Sequence, residues 1–173
     1  AKEWGAFYPP NIWTSEEFIL VQSEHYGYEC KLKVVDDLFL EVLLSILISK
    51  GDYIYLEQGH EHELKEFFFQ VVESQKGEKV FDDLDEIFSQ DVYRSEKILI
   101  SLKRRVKEMR CLYALYTEYL DSHQLVSKDS LLISCANFLN DKLSKEGGNL
   151  SKIYVVGFTT LKDYTIELFS NMS

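Results

Sequence analysis

A mainly helical fold with one strong strand is what this sequence predicts, on three observations. Two prolines and eight glycines in 173 residues leave few interruptions and disfavour an all-β sandwich. Apolar residues recur at three- and four-residue steps over long stretches, above all in Ser95–Leu120. One β-branched and aromatic run, Lys152-Ile153-Tyr154-Val155-Val156-Gly157, opens directly into a helical Leu161–Met172.

The elements follow in order. Residues 1–13 are aromatic and irregular, and Pro9-Pro10 excludes helix there. Thr14-Ser15-Glu16-Glu17 is a capping box, so a helix starts here and runs through Phe18, Ile19, Val21 and Gln22 until Gly27 breaks it. Asp36-Asp37 opens a second helix with negative charge at the positive end of its dipole. Leu38, Phe39, Val42, Leu43, Ile46 and Leu47 surround most of that helix, which reads as buried; Gly51-Asp52 ends it. Tyr53–Leu56 is ambiguous between strand and loop. Glu61–Glu73 is helical, with Leu64, Phe67, Phe68, Val71 and Val72 on one side. Gln75–Lys79, with Gly77, is a turn, and Phe81–Phe88 resumes a helical pattern. Ser95–Leu120 is the longest periodic segment, carrying Ile98, Leu99, Leu102, Val106, Met109, Tyr113, Tyr116 and Leu120. Ser127–Leu143 is amphipathic and stops at Glu146-Gly147-Gly148-Asn149. The strand at 152–157 and the last helix complete the chain. A lone strand leaves backbone hydrogen bonds unmade, so partner strands are expected, either within this chain or in sequence beyond it. The start at Ala1-Lys2-Glu3 and the end within a helix carry the same expectation of a piece of a longer protein.

The formal net charge of −10 disfavours autonomous binding to a phosphate backbone, while leaving room for a local basic strip. No run reaches membrane-spanning length, so no membrane partner is expected. Cys30, Cys111 and Cys135 lack CxxC spacing and read as reduced thiols of a cytoplasmic protein.

Candidate chemistry is sparse. Asp82, Asp83, Asp85 and Glu86 crowd one stretch; a metal cluster is one reading, and solvated acids at a helix start are the blander and preferred one. His60 and His62 alternate by two at a helix start, which points the rings apart, and His25 and His123 are isolated; all four read as surface histidines. Lys103, Arg104, Arg105, Lys107 and Arg110 form the one basic strip. It is able to touch phosphates, but with Glu96 and Glu108 nearby it reads first as a solvated face. There is no GxxxxGK[ST] loop and no Gly-x-Ser-x-Gly elbow, and no metal or cofactor is expected to be held here.

Three segments together resemble one family. Pro10-Asn11-Ile12-Trp13-Thr14-Ser15-Glu16-Glu17-Phe18 is similar to the P-x-I-x-T-x-x-x-F element of AddB/RexB-type, RecC-like subunits of bacterial helicase–nucleases. Leu115-Tyr116-Thr117-Glu118-Tyr119-Leu120 followed by Leu125-Val126-Ser127-Lys128-Asp129-Ser130-Leu131-Leu132 resembles the tyrosine-containing helix and D-x-L-L helix of superfamily I helicases. Ile153–Thr160 aligns with the Walker B strand, where active enzymes place the acids that hold magnesium and polarise water. Here those positions read Val156 and Gly157.

The resemblance implies the helical subdomain of a superfamily I helicase-like fold, with one or few strands from an adjoining P-loop-like α/β domain. It divides the chain into residues 1–30 (an N-terminal strand-to-helix connection), 31–146 (the helical subdomain) and 147–173 (a degenerate Walker B-like strand and its helix). It implies a non-catalytic, DNA-holding scaffold within a complex that processes double-strand breaks for recombinational repair, beside an active helicase–nuclease subunit. This chain itself is then expected to have neither ATPase nor nuclease activity. Two alternatives remain: a stand-alone helical interaction domain, and a small enzyme using the acids at Asp82–Glu86.

Overall fold

The expected start of the first helix is realised atom for atom. In the computed structural model, which describes residues 13–74, 76–90, 95–146 and 162–171, the Thr14 hydroxyl accepts from the Glu17 N–H (3.1 Å) and the Glu17 carboxylate accepts from the Thr14 N–H (2.9 Å). These bonds satisfy two of the donors every helix start leaves orphaned. They begin α1 (Ser15–His25). Its end is equally local. Gly27 adopts φ +88°, Gly27 N–H donates to Glu24, and Tyr28 N–H donates to Ser23 at 2.8 Å, a Schellman closure that favours glycine.

The capping box sets a pH response. The Thr14 backbone N–H, and then its hydroxyl, hold the Glu17 carboxyl below the usual glutamate range. A depressed carboxylate stabilises the fold above its unfolded-chain pKa and loses that contribution as pH falls through the folded value. The Glu17 side-chain resonance should therefore titrate below an ordinary glutamate, and Thr14→Ala, which keeps the backbone N–H and removes the hydroxyl, should move it part of the way back up. A Glu17 resonance that titrates as an ordinary glutamate in the unmodified chain would show that the box does not form.

The other elements are β1 (Lys33–Val35), α2 (Asp37–Lys50), α3 (Glu61–Glu73), α4 (Lys79–Ser89), α5 (Glu96–Ser122), β2 (Leu125–Ser127), α6 (Lys128–Glu146) and α7 (Asp163–Asn171). The protein is mainly α-helical. No helix among the described residues is long and apolar enough to cross a membrane. The chain divides into two compact units, residues 1–29 with 134–173, and residues 30–133.

In the first unit, α1 buries Phe18, Ile19 and Ser23, α6 buries Cys135, Ala136 and Leu139, and α7 buries Tyr164, Thr165 and Leu168. Phe18 meets Phe169 with ring centroids 5.8 Å apart, and Tyr28 meets Phe138 at 5.2 Å.

In the second unit the core forms where α2, α3, α4 and α5 bring together Leu40, Leu44, Phe68, Val71, Phe81 and Leu112, each at most 2% exposed. Asp36 caps α2 through the Phe39 N–H at 2.8 Å, and Gly51 closes it. Gly77 takes φ +55° ahead of α4. The 53–56 segment forms no strand; it is held from outside, as the Glu108 carboxylate accepts the N–H groups of Ile54 (3.0 Å) and Tyr55 (2.8 Å).

Two expectations change. Strands β1 and β2 pair in parallel, with Val34 opposite Val126, although both segments are too short to show alternation in sequence. Gln124, at φ +53°, makes the tight link from α5 into β2. Helix α2 is not buried all round: it buries Leu40, Leu43, Leu44 and Ile48 and leaves Leu38, Phe39, Val42 and Ile46 exposed. Its neighbours α3 and α5 cover one side only. The strand expected at 152–157, and with it Val156 and Gly157, lies outside the described residues, as does the Pro10–Ile12 part of the first family-like segment.

Candidate functional site

Helix α5 sorts the five cations of the basic strip by position. Val106, Leu112, Tyr113 and Tyr116 are buried and define the inward face. At 3.6 residues per turn, Lys103, Arg104 and Lys107 then project outward together, and all three are exposed. Arg105 lies off that stripe, exposed beside a shallow recess formed with Tyr55, Lys97, Ile98 and Leu102. Among the described residues none of these four makes an ion pair.

Arg110 is different. Its guanidinium pairs with Asp82 of α4 and lies 5.6 Å from the centre of the Phe81 ring. The Asp82 hydrogen bond raises its pKa further. This arginine fastens α4 to α5 and is half-buried, so the free strip is Lys103, Arg104, Arg105 and Lys107. The nearby Glu108 forms no ion pair with that strip; its carboxylate accepts the Ile54 and Tyr55 N–H groups instead.

The acids at Asp82–Glu86 do not come together as a metal site. Asp82 holds Arg110, and Asp83 accepts from Lys76 Nζ at 2.9 Å. Among the described residues no three His, Cys, Asp or Glu side chains are placed to hold a metal ion. His62 Nδ1 lies 2.9 Å from Glu41 Oε1, and His123 stacks on Tyr119 at 4.1 Å.

Residues 115–132 fold as one continuous piece. Tyr116 and Tyr119 end α5, Leu125–Ser127 forms β2, and Ser127 starts α6 by accepting the Ser130 N–H (3.0 Å) and donating to the Ser130 hydroxyl (2.8 Å). Beside it lies a feature with no obvious sequence signal. A cleft of about 220 Å³ opens between α2, α3, the end of α5, β2 and the start of α6. Lys65 lies in its wall at 7% exposure, and its ammonium contacts Asp37 (3.1 Å), Glu41 (3.1 Å) and Glu66 (3.7 Å). Burial pulls the Lys65 pKa down, but the bonds to Glu41 and Asp37 outweigh it and hold the ammonium above its ordinary value. His62 first, and Lys65 second, keep the Glu41 carboxyl below the usual range.

The pair Asp37 and Glu41, one turn apart on a largely apolar helix, is a sequence feature that could have found it.

No protein-family model, curated protein or solved structure matches the chain.

Proposed function

We propose that this chain is a region of an AddB/RexB-type, RecC-like subunit of a helicase–nuclease complex that processes broken DNA ends, and that its part is to hold DNA. The helicase-like helical subdomain, a cytoplasmic setting and an active helicase–nuclease partner belong to this reading. The observation that carries it is the outward stripe of Lys103, Arg104 and Lys107, with Arg105 beside it, on the helix that leads into the family-like motif. Cations free of internal partners neutralise phosphates without first breaking a protein contact. A net charge of −10 works against them, so binding by the isolated chain is expected to be weak and confined to low salt.

Fluorescence anisotropy with a labelled single strand, across a salt series, tests this. Four phosphates neutralised on a single strand give a slope of log affinity against log salt of about −3. The Lys103→Glu, Arg104→Glu, Lys107→Glu triple variant should flatten that slope to shallower than about −1, leaving only Arg105. A slope unchanged by the substitutions, or no binding at low salt, contradicts the reading.

A second reading has its own support. Leu38, Phe39, Val42 and Ile46 form one apolar stripe along α2, exposed by 68%, 37%, 49% and 43%. Such a stripe suits a helical protein–protein interaction domain, and it becomes the better account if the DNA experiment fails.

A further inference from the structure

We propose that the recess formed by Tyr55 with the first turns of α5 is a base-stacking site for an unpaired nucleotide, so that the DNA held by this chain is single-stranded. The proposal rests on the DNA-holding reading above and adds the part of the ligand that the cations do not touch.

The recess has about 300 Å³ of room and is lined by Tyr55, Lys97, Ile98, Ser101, Leu102 and Arg105. In a chain of net charge −10 it carries two cations and, among the described residues, no carboxylate. Neither Lys97 nor Arg105 makes an ion pair among the described residues. Lys97 also stands near the start of α5, at the positive end of the helix dipole, where a cation is unfavourable. Lys103 and Lys107, one turn apart on the same helix, repel each other as well. This charge costs the fold stability, and a polyanion from outside the chain relieves it.

Charge alone does not separate a single strand from a duplex. The apolar part of the recess does. Ile98 is 53% exposed, and Tyr55 is half-buried with no contact to another ring among the described residues. Tyr55 is also held in place. The Glu108 carboxylate accepts its N–H at 2.8 Å and that of Ile54 at 3.0 Å, and Glu108 is a helical neighbour of Arg105, three residues on. An aromatic residue is thereby fixed beside an arginine with no ion pair. The bases of a duplex are stacked and paired inside it, whereas an unpaired base has a free face to lay on an aromatic ring while its phosphate meets a cation. Arg105 belongs to both the recess and the basic strip, so the strand runs from the recess onto Lys103, Arg104 and Lys107.

The test is fluorescence anisotropy of the intact chain at low salt with three labelled probes: an oligothymidine, an abasic oligomer of the same length and charge, and a blunt duplex. The oligothymidine should bind about fivefold or more tighter than the abasic oligomer. Tyr55→Leu should remove that difference while leaving the abasic oligomer and the duplex unaffected, and Tyr55→Phe should keep it. The Lys103→Glu, Arg104→Glu, Lys107→Glu variant should weaken all three probes. Equal affinity for the oligothymidine and the abasic oligomer, or a preference that survives Tyr55→Leu, overturns the stacking site; if the triple variant still weakens all three probes, the DNA-holding reading stands without it. An equal loss for all three probes in Tyr55→Leu assigns Tyr55 a structural role and also overturns the site. No binding to any probe, or binding that the triple variant does not touch, overturns the DNA-holding reading and the stacking site together.

Discussion

Phe68→Ala should cost about 3–5 kcal/mol, the largest single loss expected in this molecule. The ring is 1% exposed and meets three others, with centroids 5.1 Å from Tyr113, 5.5 Å from Tyr116 and 6.1 Å from Phe67. Two contributions combine. Truncation removes a large apolar surface and leaves a cavity that helices α3 and α5 cannot close without moving. It also removes edge-to-face and tilted ring contacts, each contributing roughly 0.5–1.5 kcal/mol beyond area. A domain of this size is stable by only about 5–15 kcal/mol, so the variant should be partly unfolded near physiological temperature. Urea denaturation followed through amides of α3 and α5 measures it: the midpoint should fall with little change in slope. A loss below about 1 kcal/mol would mean that α3 does not seat this ring against α5.

The second large effect belongs to Glu108→Ala, expected at about 2 kcal/mol. One carboxylate holds two consecutive backbone N–H groups, those of Ile54 and Tyr55, across more than fifty residues of sequence. No regular element supplies partners for these donors, since residues 53–56 form neither helix nor strand. Hydrogen bonds to a charged acceptor are stronger than neutral ones, which raises the cost. Ile54 is 74% exposed, so water recovers part of it, which keeps the figure below that of Phe68. Glu108→Gln, with one acceptor oxygen left, should lose about half as much. Hydrogen exchange at Ile54 and Tyr55 is the direct readout: both amides should exchange faster in the alanine variant, and an unchanged rate would show that the carboxylate does not hold the segment.

Glu108 also shows why parts of this protein were legible in sequence and parts were not. Helix boundaries are local events. Thr14 and Glu17, Asp36, Gly27, Gly51 and Gly77 each act within a few residues of themselves, and α1, α2 and the approach to α4 are set by these signals. The pairing of β1 with β2 is not local, because Lys33 and Leu125 are distant in sequence and three-residue strands are shorter than one full alternation pattern. The direction of α2 was hidden for another reason. Leucine, isoleucine and valine on all sides of a helix carry no information about which side a neighbour will cover; α3 and α5 made that choice.

The site divides in the same way. The basic strip was visible as composition, but the separation of Arg110 from its neighbours depends on Asp82 and Phe81, which belong to another helix. Lys65 gave no warning. In the string Glu63-Leu64-Lys65-Glu66 it looks like a solvated lysine between acids, and only the packing of α3 on α2 sets it against Asp37 and Glu41.

Lysine footprinting by mass spectrometry, with and without a single-stranded DNA at low salt, tests the DNA-holding claim most directly. Lys103 and Lys107 should be shielded from acetylation when DNA is present, while the exposed Lys50 on α2 should label equally in both conditions. Equal labelling of Lys103 and Lys107 with and without DNA, or shielding centred on Lys50, would contradict it.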